Sequence, residues 1–419
     1  MNQSEIEAMA RRFQAAGHVV VGDPARADAC VLNTCAVTAE AEGKTHRCIR
    51  ELARAKPGAR VAVAGCYATL VPQRCAALPG VAWVIPNADK DGVVETVGGG
   101  KAMRKGEADC VKDADISALS FDLPRPYRRT RAFVKVQDGC DNHCTYCVVR
   151  LLRGPSRSRP LAEVVEEIQA LVEAGYQEVV LTGVNLGAYG RDFDSPASLR
   201  GLVETLLAQT DLPRLRLSSL EPWDLDEGFF QLWEDGRLCR QLHLPLQAGC
   251  DETLRRMGRR ITTTAFARLV EAARAVVPDL AVTTDVIVGF PGEDEAAFRA
   301  SYDFVEAIEF ARLHVFPYSQ RPGTPAACLP GRLGREARRE RARAMRKLGT
   351  EQARRFRRQF LGREMMVLWE RRRRSGLWAG LTDNYVRVVT RAEDDLHNQL
   401  VTTQLVAELD GCLVGEVIA

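Results

Sequence analysis

The most specific chemistry in this sequence belongs to three cysteines on one short stretch. Cys140, Cys144 and Cys147 are separated by four and three positions. Three thiolates on one loop can hold three irons of a 4Fe–4S cluster and leave the fourth iron open to a substrate. The alternative is a zinc knuckle, in which His143 or a distant cysteine completes a tetrahedral set. The spacing favours the cluster, with His143 as a solvent-facing spacer.

Two other cysteines stand at the ends of apolar segments near the amino terminus. Cys35 follows residues 31–34, and Cys66 follows residues 63–65. Parallel strands share one direction, so both thiols are predicted at the same edge of a sheet. This convergence indicates a second metal site. The alternative is that each cysteine is a small buried side chain.

The composition is that of a globular protein with metal or redox chemistry. The 419 residues are 46% apolar and 27% charged. We find no uninterrupted apolar run long enough to cross a bilayer and no secretory pattern after Met1, so a cytoplasmic protein is expected. Thirteen cysteines in such a chain favour metal sites over disulfides.

Periodicity predicts an α/β protein with several domains. Strands that alternate with helices in residues 1–102 indicate a parallel sheet covered on both faces. Residues 103–126 lack a clear period and are interpreted as a linker. Residues 127–330 contain six strand–helix units, fewer than the eight of a closed barrel, so an open partial barrel is expected. The predicted strands of the first domain are residues 19–21, 29–32, 61–64 and 81–85.

The elements of the central domain place the three cysteines. Residues 132–137 alternate apolar and polar side chains, as a half-buried strand does, and the cysteines follow directly. Loops at the carboxyl ends of barrel strands carry the chemistry. Gly183 and Asn185 lie on the next such loop, where a glycine lets backbone approach a ligand closely. His243 and His314 fall within strands and are interpreted as interior residues.

Tyr146 on the cysteine loop itself and residues on two more loops of this predicted rim are suited to a nucleoside. Tyr146 can lay its ring against an adenine, although simple packing explains it equally well. Glu221 can accept hydrogen bonds from ribose hydroxyls, or it is an ordinary surface carboxylate. Ile287 and Gly289 lie on a glycine-containing turn after the fifth strand. One such turn is weak evidence, but several on one rim together predict a binding site.

The carboxyl-terminal quarter of the chain is basic. Residues 332–363 contain 13 lysines and arginines against 3 glutamates, whereas the whole chain has a net charge of only +3. Residues 331–362 predict a long basic helix, which suits a polyanion or is simply a solvated face. Residues 363–419 predict five short strands, typical of a small closed barrel. Four arginines at residues 371–374 add charge on a predicted turn.

The three central cysteines match the signature of radical S-adenosylmethionine (SAM) enzymes. Residues 134–159 resemble the methylthiotransferases within that group, and the resemblance extends over nearly the whole chain. Residues 134–140 and 181–187 are most similar to the branch that acts on N6-threonylcarbamoyladenosine in tRNA. Residues 380–388 resemble the TRAM domain, an RNA-binding module. The resemblance implies SAM as cofactor, a tRNA anticodon stem-loop as partner, and an electron donor such as flavodoxin or ferredoxin.

The same resemblance implies an auxiliary 4Fe–4S cluster in the first domain. In the family, the residues that match Cys35 and Cys66 bind it together with a third cysteine. That third position would fall just before Met1. We expect either a start site placed too late or a cluster with fewer protein ligands. The resemblance also implies that the loop of residues 182–185 contacts the amino and carboxylate groups of SAM.

The implied reaction explains why a radical is needed. The hydrogen on carbon 2 of adenine is not acidic, so general base catalysis has little effect on it, and a cofactor must supply the chemistry. Three interpretations remain open at this stage. The first is methylthiolation of threonylcarbamoyladenosine; the second is methylthiolation of isopentenyladenosine in tRNA or of a ribosomal protein. The third is a non-catalytic iron–sulfur protein that binds RNA.

Overall fold

The structure is a computed structural model and describes residues 1–58, 60–99 and 130–418. It consists of an amino-terminal α/β domain, a central open barrel, a long helix and a small closed β-barrel. The predicted linker at residues 103–126 lies outside the described residues. Within the described ranges, no helix combines the length and apolar character needed to cross a membrane.

The amino-terminal domain is a parallel sheet of three strands in the order β1-β2-β3. Three of its four predicted strands are confirmed. The fourth, at residues 19–21, is wrong: this segment is irregular, and Val19 is 86% exposed. The elements are α1 (Asn2–Ala15), β1 (Ala29–Thr34), α2 (Ala39–Ala55), β2 (Arg60–Gly65), α3 (Cys66–Leu70), α4 (Pro72–Ala76), β3 (Val81–Ile85) and α5 (Val93–Gly98).

The central domain contains the six predicted parallel strands. They form two sheets, β4-β7-β8 and β9-β10-β11, and an isolated bridge between Ser219 and His243 joins them. The elements are β4 (Arg131–Lys135), β5 (Gln137–Asp138), α6 (Val149–Arg153), β6 (Arg157–Ser158), α7 (Leu161–Glu173), β7 (Glu178–Thr182), α8 (Leu199–Gln209), β8 (Arg214–Leu217), β9 (Gln241–His243), α9 (Asp251–Arg256), α10 (Thr263–Val276), β10 (Ala281–Val288), α11 (Glu295–Ile308) and β11 (Arg312–Pro317).

The barrel is open between its first and last strands. In the described residues β4 pairs with β7, and β11 pairs with β10, but β4 and β11 do not pair with each other. Side chains alternate between the two faces of a strand. Val179, Leu181 and Val282 therefore pack outward against the helices as part of one large apolar core. The other face of each strand points into the barrel.

The basic segment forms α12 (Arg335–Arg358), which packs along β11 at the open side of the barrel. Its apolar side, with Met345 and Leu348, joins the core of the central domain. A closed five-stranded barrel follows in the order β12-β13-β14-β16-β15, as predicted. Its strands are β12 (Glu364–Arg372), β13 (Trp378–Thr382), β14 (Arg387–Thr390), β15 (Leu400–Leu409) and β16 (Cys412–Val417).

The small barrel docks against the amino-terminal ends of the central strands. Glu178, the first residue of β7, is fully buried and lies 2.7 Å from Arg216 Nε. Arg216 in turn donates a hydrogen bond of 2.7 Å to the carbonyl of Asp383 in the small barrel. Arg131 at the start of β4 pairs with Glu370 at 2.8 Å. The small barrel therefore closes the end of the central barrel opposite the cysteine loop.

Candidate cluster and cofactor site

The cysteine loop begins at the carboxyl end of β4 and is fixed by backbone contacts. Gly139 has φ +72°, and a Cβ there would lie 1.8 Å from the carbonyl oxygen of Pro155, so only glycine fits. The Cys140 N–H donates to Gly154 O at 3.1 Å, and the Thr145 N–H donates to Met257 O at 2.8 Å. The antiparallel pair β5–β6 closes the base of the loop. The loop is therefore held in place without any bound group.

The three thiols are half-buried and lie within one another's electrostatic field. The pKa of Cys147 is raised to about 12, mainly by burial and in smaller part by the neighbouring Cys144 and Cys140. Burial also raises the pKa of Cys140, with Cys144 again adding to the effect. A cationic metal centre offsets the cost of ionising these buried thiols, because it stabilises thiolates. The loop therefore suits a metal cluster.

The residues fit a cluster better than a single ion. Among residues 1–58, 60–99 and 130–418, no group of three or more His, Cys, Asp or Glu side chains is close enough to hold one metal ion. A four-iron cube instead takes each thiolate on a different iron. The predicted role of His143 as a spacer agrees with the structure: it is exposed, and its ring nitrogens lie 2.8 and 2.6 Å from Arg150 Nη1.

The loop after β7 lies beside the cysteine loop and presents Gly183 and Asn185. Gln137 connects the two loops: its Oε1 accepts from the N–H groups of Val184 and Asn185 at 2.9 Å each, and its Nε2 donates to Gly139 O at 2.8 Å. A Cβ on Gly183 would lie 2.9 Å from Gln137 Oε1. No sequence pattern singles out Gln137, whose side chain holds the two loops together through these hydrogen bonds.

Several buried polar atoms of this rim have no hydrogen-bond partner among the residues that the structure describes. They include Asn185 Oδ1 after β7, and Ser218 Oγ and Trp223 Nε1 after β8. Most buried polar atoms in proteins are hydrogen-bonded, so a group of exceptions on adjacent loops needs an explanation. A bound ligand with amino, carboxylate and ribose groups would satisfy them. This observation supports the predicted nucleoside cofactor at the rim.

Glu221 is paired with an arginine that sequence reasoning missed. Arg259 Nη2 lies 2.7 Å from Glu221 Oε2, and Arg259 Nη1 lies 3.8 Å from Cys144 Sγ. The same guanidinium stacks over the Trp223 ring at 4.4 Å. Arg259 is one of four arginines in residues 255–260, and nothing in the sequence separates it from the others. It places a buried positive charge beside a cluster thiol.

The last rim loop follows β10. Gly289 has φ +72°, and its N–H donates to Glu293 Oε1 at 2.8 Å. Ile287 and Tyr146 are both half-buried and pack against the same small apolar cluster. The structure thus brings Tyr146 close to the predicted adenine-binding turn. Whether its ring contacts an adenine stays a prediction.

The interior of the open barrel is a cavity of about 770 Å³. It reaches from Gly183 and Ser218 near the rim down to Tyr385 and Arg387 of the small barrel. Five arginines line it against two acidic residues, Asp285 and Glu370. His243 and His314 also line it, so these histidines face a cavity and not a packed core.

Cys35 and Cys66 do meet at one edge of the first sheet. Burial raises the pKa of Cys35, and the nearby Cys66 raises it further. Gly65 allows this approach: its φ is +99°, and a Cβ there would lie 2.7 Å from Asn33 Oδ1. Asn87 Nδ2 lies 3.3 Å from Cys66 Sγ and donates at 2.9 Å to the carbonyl of Leu152 in α6. The two thiols thus face the helix that follows Cys147.

A buried ionic hub joins the two cysteine sites. Glu5 in α1 accepts from Arg153 in α6 at 2.8 Å and from Lys90 at 2.8 Å. Arg153 also contacts Asp138, which directly precedes the cysteine loop, at 2.8 Å. Glu5 and Arg153 are 5% and 8% exposed. The hub fixes the first domain against the carboxyl end of the barrel.

Comparison with known proteins agrees with this architecture. The radical SAM superfamily matches residues 134–305, and a family described as uncharacterized protein family UPF0004 matches residues 1–85. The chain is 37% identical to the threonylcarbamoyladenosine tRNA methylthiotransferase MtaB of Thermotoga maritima, over 92% of this chain and 88% of that protein. It is 33% identical to a tRNA-2-methylthio-N6-dimethylallyladenosine synthase of Caldicellulosiruptor saccharolyticus, over 100% and 90%.

One solved structure resembles the described fold. The radical SAM methyltransferase TsrM of Kitasatospora setae, solved with cobalamin and a 4Fe–4S cluster, superposes with a TM-score of 0.54. The alignment covers 71% of this chain and 63% of that chain, at 19% identity. Such low identity supports the fold alone.

Proposed function

Because this chain belongs to the radical SAM family of tRNA methylthiotransferases, we propose that it modifies N6-threonylcarbamoyladenosine next to the anticodon of tRNA. The reaction replaces the hydrogen on carbon 2 of the base by a methylthio group. tRNA is then the macromolecular partner, and the cytoplasm is the site of action. A flavodoxin or ferredoxin is proposed as the electron donor.

Cys140, Cys144 and Cys147 would hold the catalytic 4Fe–4S cluster. When bound, that cluster supplies the one-electron cleavage of SAM from which the radical chemistry starts. The chain's own residues hold and orient the cofactor. Gly183 and Gly289 let backbone approach it, and the unpaired Asn185 side chain offers a polar contact.

Glu221 and Arg259 have a positioning role in this proposal. Their ion pair of 2.7 Å lies between the loop after β8 and the cysteine loop. The pair holds these two loops in fixed positions relative to each other. It also keeps the Glu221 carboxylate oriented toward the site. The predicted contact of Glu221 with ribose hydroxyls stays a proposal, together with the contacts of Tyr146 and Ile287.

Cys35 and Cys66 are proposed as two ligands of an auxiliary 4Fe–4S cluster. Their thiols meet at one sheet edge, and the positive charges of Arg153 and Arg321 lower the pKa of Cys35, against the larger effect of burial. Positive charge near a site favours thiolate ligands. The hub of Glu5 and Arg153 directs this edge toward the catalytic end of the barrel, where a sulfur donor is needed.

The lining of the barrel cavity is the observation that carries the choice of substrate. A relative named for threonylcarbamoyladenosine is 37% identical to this chain, and one named for dimethylallyladenosine is 33% identical. Sequence identity therefore separates these two candidate substrates only slightly. The threonylcarbamoyl group carries a carboxylate and several hydrogen-bonding groups, whereas the dimethylallyl group is apolar. A cavity with five arginines and two histidines favours the charged group.

The basic helix and the small barrel are proposed to bind the tRNA backbone. Arg335, Arg339 and Arg343 of α12 are exposed, and this helix runs along the open side of the barrel. Phosphate contacts of this kind contribute binding affinity that decreases as the salt concentration rises. An anticodon loop bound there can extend its target base through the gap between β4 and β11.

The test is a mass measurement on tRNA treated anaerobically with the reconstituted enzyme, SAM and a reductant. We expect threonylcarbamoyladenosine to gain the mass of a methylthio group and 5′-deoxyadenosine to accumulate. A gain on isopentenyladenosine instead would favour the second substrate. If the cluster is intact but no 5′-deoxyadenosine forms, a non-catalytic RNA-binding protein is the better description.

A further inference from the structure

The interior of this barrel is not filled in the way a strand–helix barrel usually is. Such interiors are normally packed with bulky branched apolar side chains. Here three adjacent strands present polar side chains to the cavity. These residues are Gln241 and His243 on β9, Thr283 and Asp285 on β10, and Arg312 and His314 on β11.

The strand register places these side chains next to one another. Thr283 is opposite both His243 and Arg312, and Asp285 is opposite His314. The His243 Nδ1 lies 3.0 Å from Thr283 Oγ1, and its Nε2 lies 3.5 Å from Asp285 Oδ1. The two imidazole rings meet edge to face, with centroids 5.7 Å apart. This arrangement forms one continuous polar wall.

Arg312 is the cation of this wall that has no counter-ion. Arg131 and Arg216 line the same cavity, but they pair with Glu370 and Glu178. Within the part of the chain that the structure describes, the Arg312 side chain makes no ion pair or hydrogen bond. Its charge nevertheless reaches the cavity, because together with burial it lowers the pKa of His314, against the opposing effect of Asp285. His314 is therefore neutral at pH 7, and Arg312 carries the positive charge.

We propose that Arg312 binds the carboxylate of the threonylcarbamoyl group and that Asp285 accepts a hydrogen bond from an N–H of its urea. This inference rests on the proposed function and names the residues that select the substrate. A guanidinium and a carboxylate form paired, charge-assisted hydrogen bonds. The cavity of about 770 Å³ falls within the usual range for small-molecule sites.

The same wall rejects an apolar base modification. A dimethylallyl group in this position would cover the Arg312 guanidinium with hydrocarbon and leave its charge unpaired. Burying a charge without a partner is costly. Sites built to hydrogen-bond one substrate exclude an analogue that lacks the group by large factors, up to about 10⁴.

The test measures RNA binding by fluorescence anisotropy with the cluster-loaded protein. Four anticodon stem-loops differ only at the base next to the anticodon: threonylcarbamoyladenosine, its uncharged threoninamide analogue, dimethylallyladenosine and plain adenosine. The native protein should bind the first most tightly. Arg312→Gln should lose affinity for that RNA roughly 10- to 100-fold, as expected for a lost charged hydrogen bond. Its affinity for plain adenosine should stay the same.

Two matched variants complete the design. Arg339→Gln, on the exposed face of α12, removes a proposed phosphate contact and should lower the affinity for all four RNAs by the same factor. Arg312→Lys keeps the charge and should retain part of the preference, which shows that the fold is intact. The native protein should bind the threoninamide RNA about as weakly as Arg312→Gln binds the carboxylate RNA.

The outcomes separate this inference from the proposed function. If the native protein prefers the threonylcarbamoyl RNA and Arg312→Gln keeps that preference, the assignment of Arg312 is overturned. The assignment is also overturned if the native protein binds the threoninamide RNA as tightly as the threonylcarbamoyl RNA. If the native protein binds the dimethylallyl RNA at least as tightly as the threonylcarbamoyl RNA, the proposed substrate is wrong, and this inference is overturned with it.

Discussion

Replacing Glu178 by Gln should destabilise the junction between the central and small barrels. Glu178 is 0% exposed, and its carboxylate is 2.7 Å from Arg216 and 3.9 Å from both Arg131 and Arg214. The amide keeps the size of the side chain but removes the charge. Three guanidinium groups would then remain at the base of the barrel without this counter-ion.

The expected loss is large because the pair is buried. Removing one partner of a buried ion pair costs about 3–5 kcal/mol. A loss of 3 kcal/mol lowers the folding equilibrium constant more than about 100-fold. Glu204→Gln is the matched control, since Glu204 and Arg200 form an exposed pair four residues apart on α8. Such an exposed pair contributes little to stability, because solvent screens it.

Urea unfolding of the apo protein, followed by tryptophan fluorescence, measures the difference. Trp369 and Trp378 lie in the core of the small barrel and report on its unfolding. Because Arg216 donates to Asp383 O across the junction, the small-barrel transition should move to lower urea in Glu178→Gln. Glu204→Gln should unfold as the native protein does.

The pH dependence of the unfolding free energy tests the role of Glu178 independently. Burial alone would raise the pKa of Glu178, but Arg216, Arg131 and Arg214 hold it below its ordinary value. A carboxyl group with a depressed pKa stabilises the fold above its unfolded-state pKa of about 4.3 and loses that contribution as the pH falls. Native protein should therefore lose stability below about pH 4.3 more steeply than Glu178→Gln. Equal unfolding free energies of Glu178→Gln and Glu204→Gln at pH 7 would refute this reasoning.

Four further substitutions test the site and its connection to the first domain. Cys144→Ala should abolish 5′-deoxyadenosine formation, whereas Cys35→Ala should leave it intact and stop methylthiolation; product analysis by mass spectrometry measures both. Gly139→Ala should reduce iron content after reconstitution at least several-fold, because its Cβ would lie 1.8 Å from Pro155 O. Glu5→Gln should cost about 3–5 kcal/mol by removing the centre of a buried ionic hub, measured by urea unfolding of the apo protein.

Each of these has a control at a comparable but uninvolved position. Cys328→Ala removes an exposed thiol and should change neither product. Gly43→Ala, in α2 with open space around it, should leave the iron content unchanged. Glu40→Gln, in an exposed pair with Lys44, should leave the urea midpoint unchanged, because solvent screens the pair. If Cys35→Ala still yields fully methylthiolated base, the auxiliary site is not needed and that proposal fails.

Local patterns in the sequence were sufficient for most of the secondary structure. The predicted bounds of β3, residues 81–85, agree with the structure residue for residue, because apolar patterning and capping side chains act over a few positions. Thr38, for example, starts α2 by accepting from the Ala41 N–H at 3.2 Å. The segment at residues 19–21 was misjudged for the opposite reason: a short apolar run forms a strand only if a neighbouring strand pairs with it.

The sequence also predicted which residues carry the chemistry. Cys140, Cys144 and Cys147 are close in the chain, so their spacing alone predicts a shared cluster. Cys35 and Cys66 are 31 positions apart, but each ends a strand, and the parallel direction of the strands brings the thiols together. In both cases a short-range pattern or a simple rule of sheet geometry was enough.

Tertiary structure decided the surroundings of that chemistry. Arg259 donates a hydrogen bond to Glu221, although the two are 38 positions apart in the sequence. Arg153 donates one to Glu5 over 148 positions. The polar wall around Arg312 exists because three strands align in one register and the small barrel closes the floor of the cavity. Such contacts depend on how whole elements pack, and packing is a property of the complete fold that no single stretch of sequence contains.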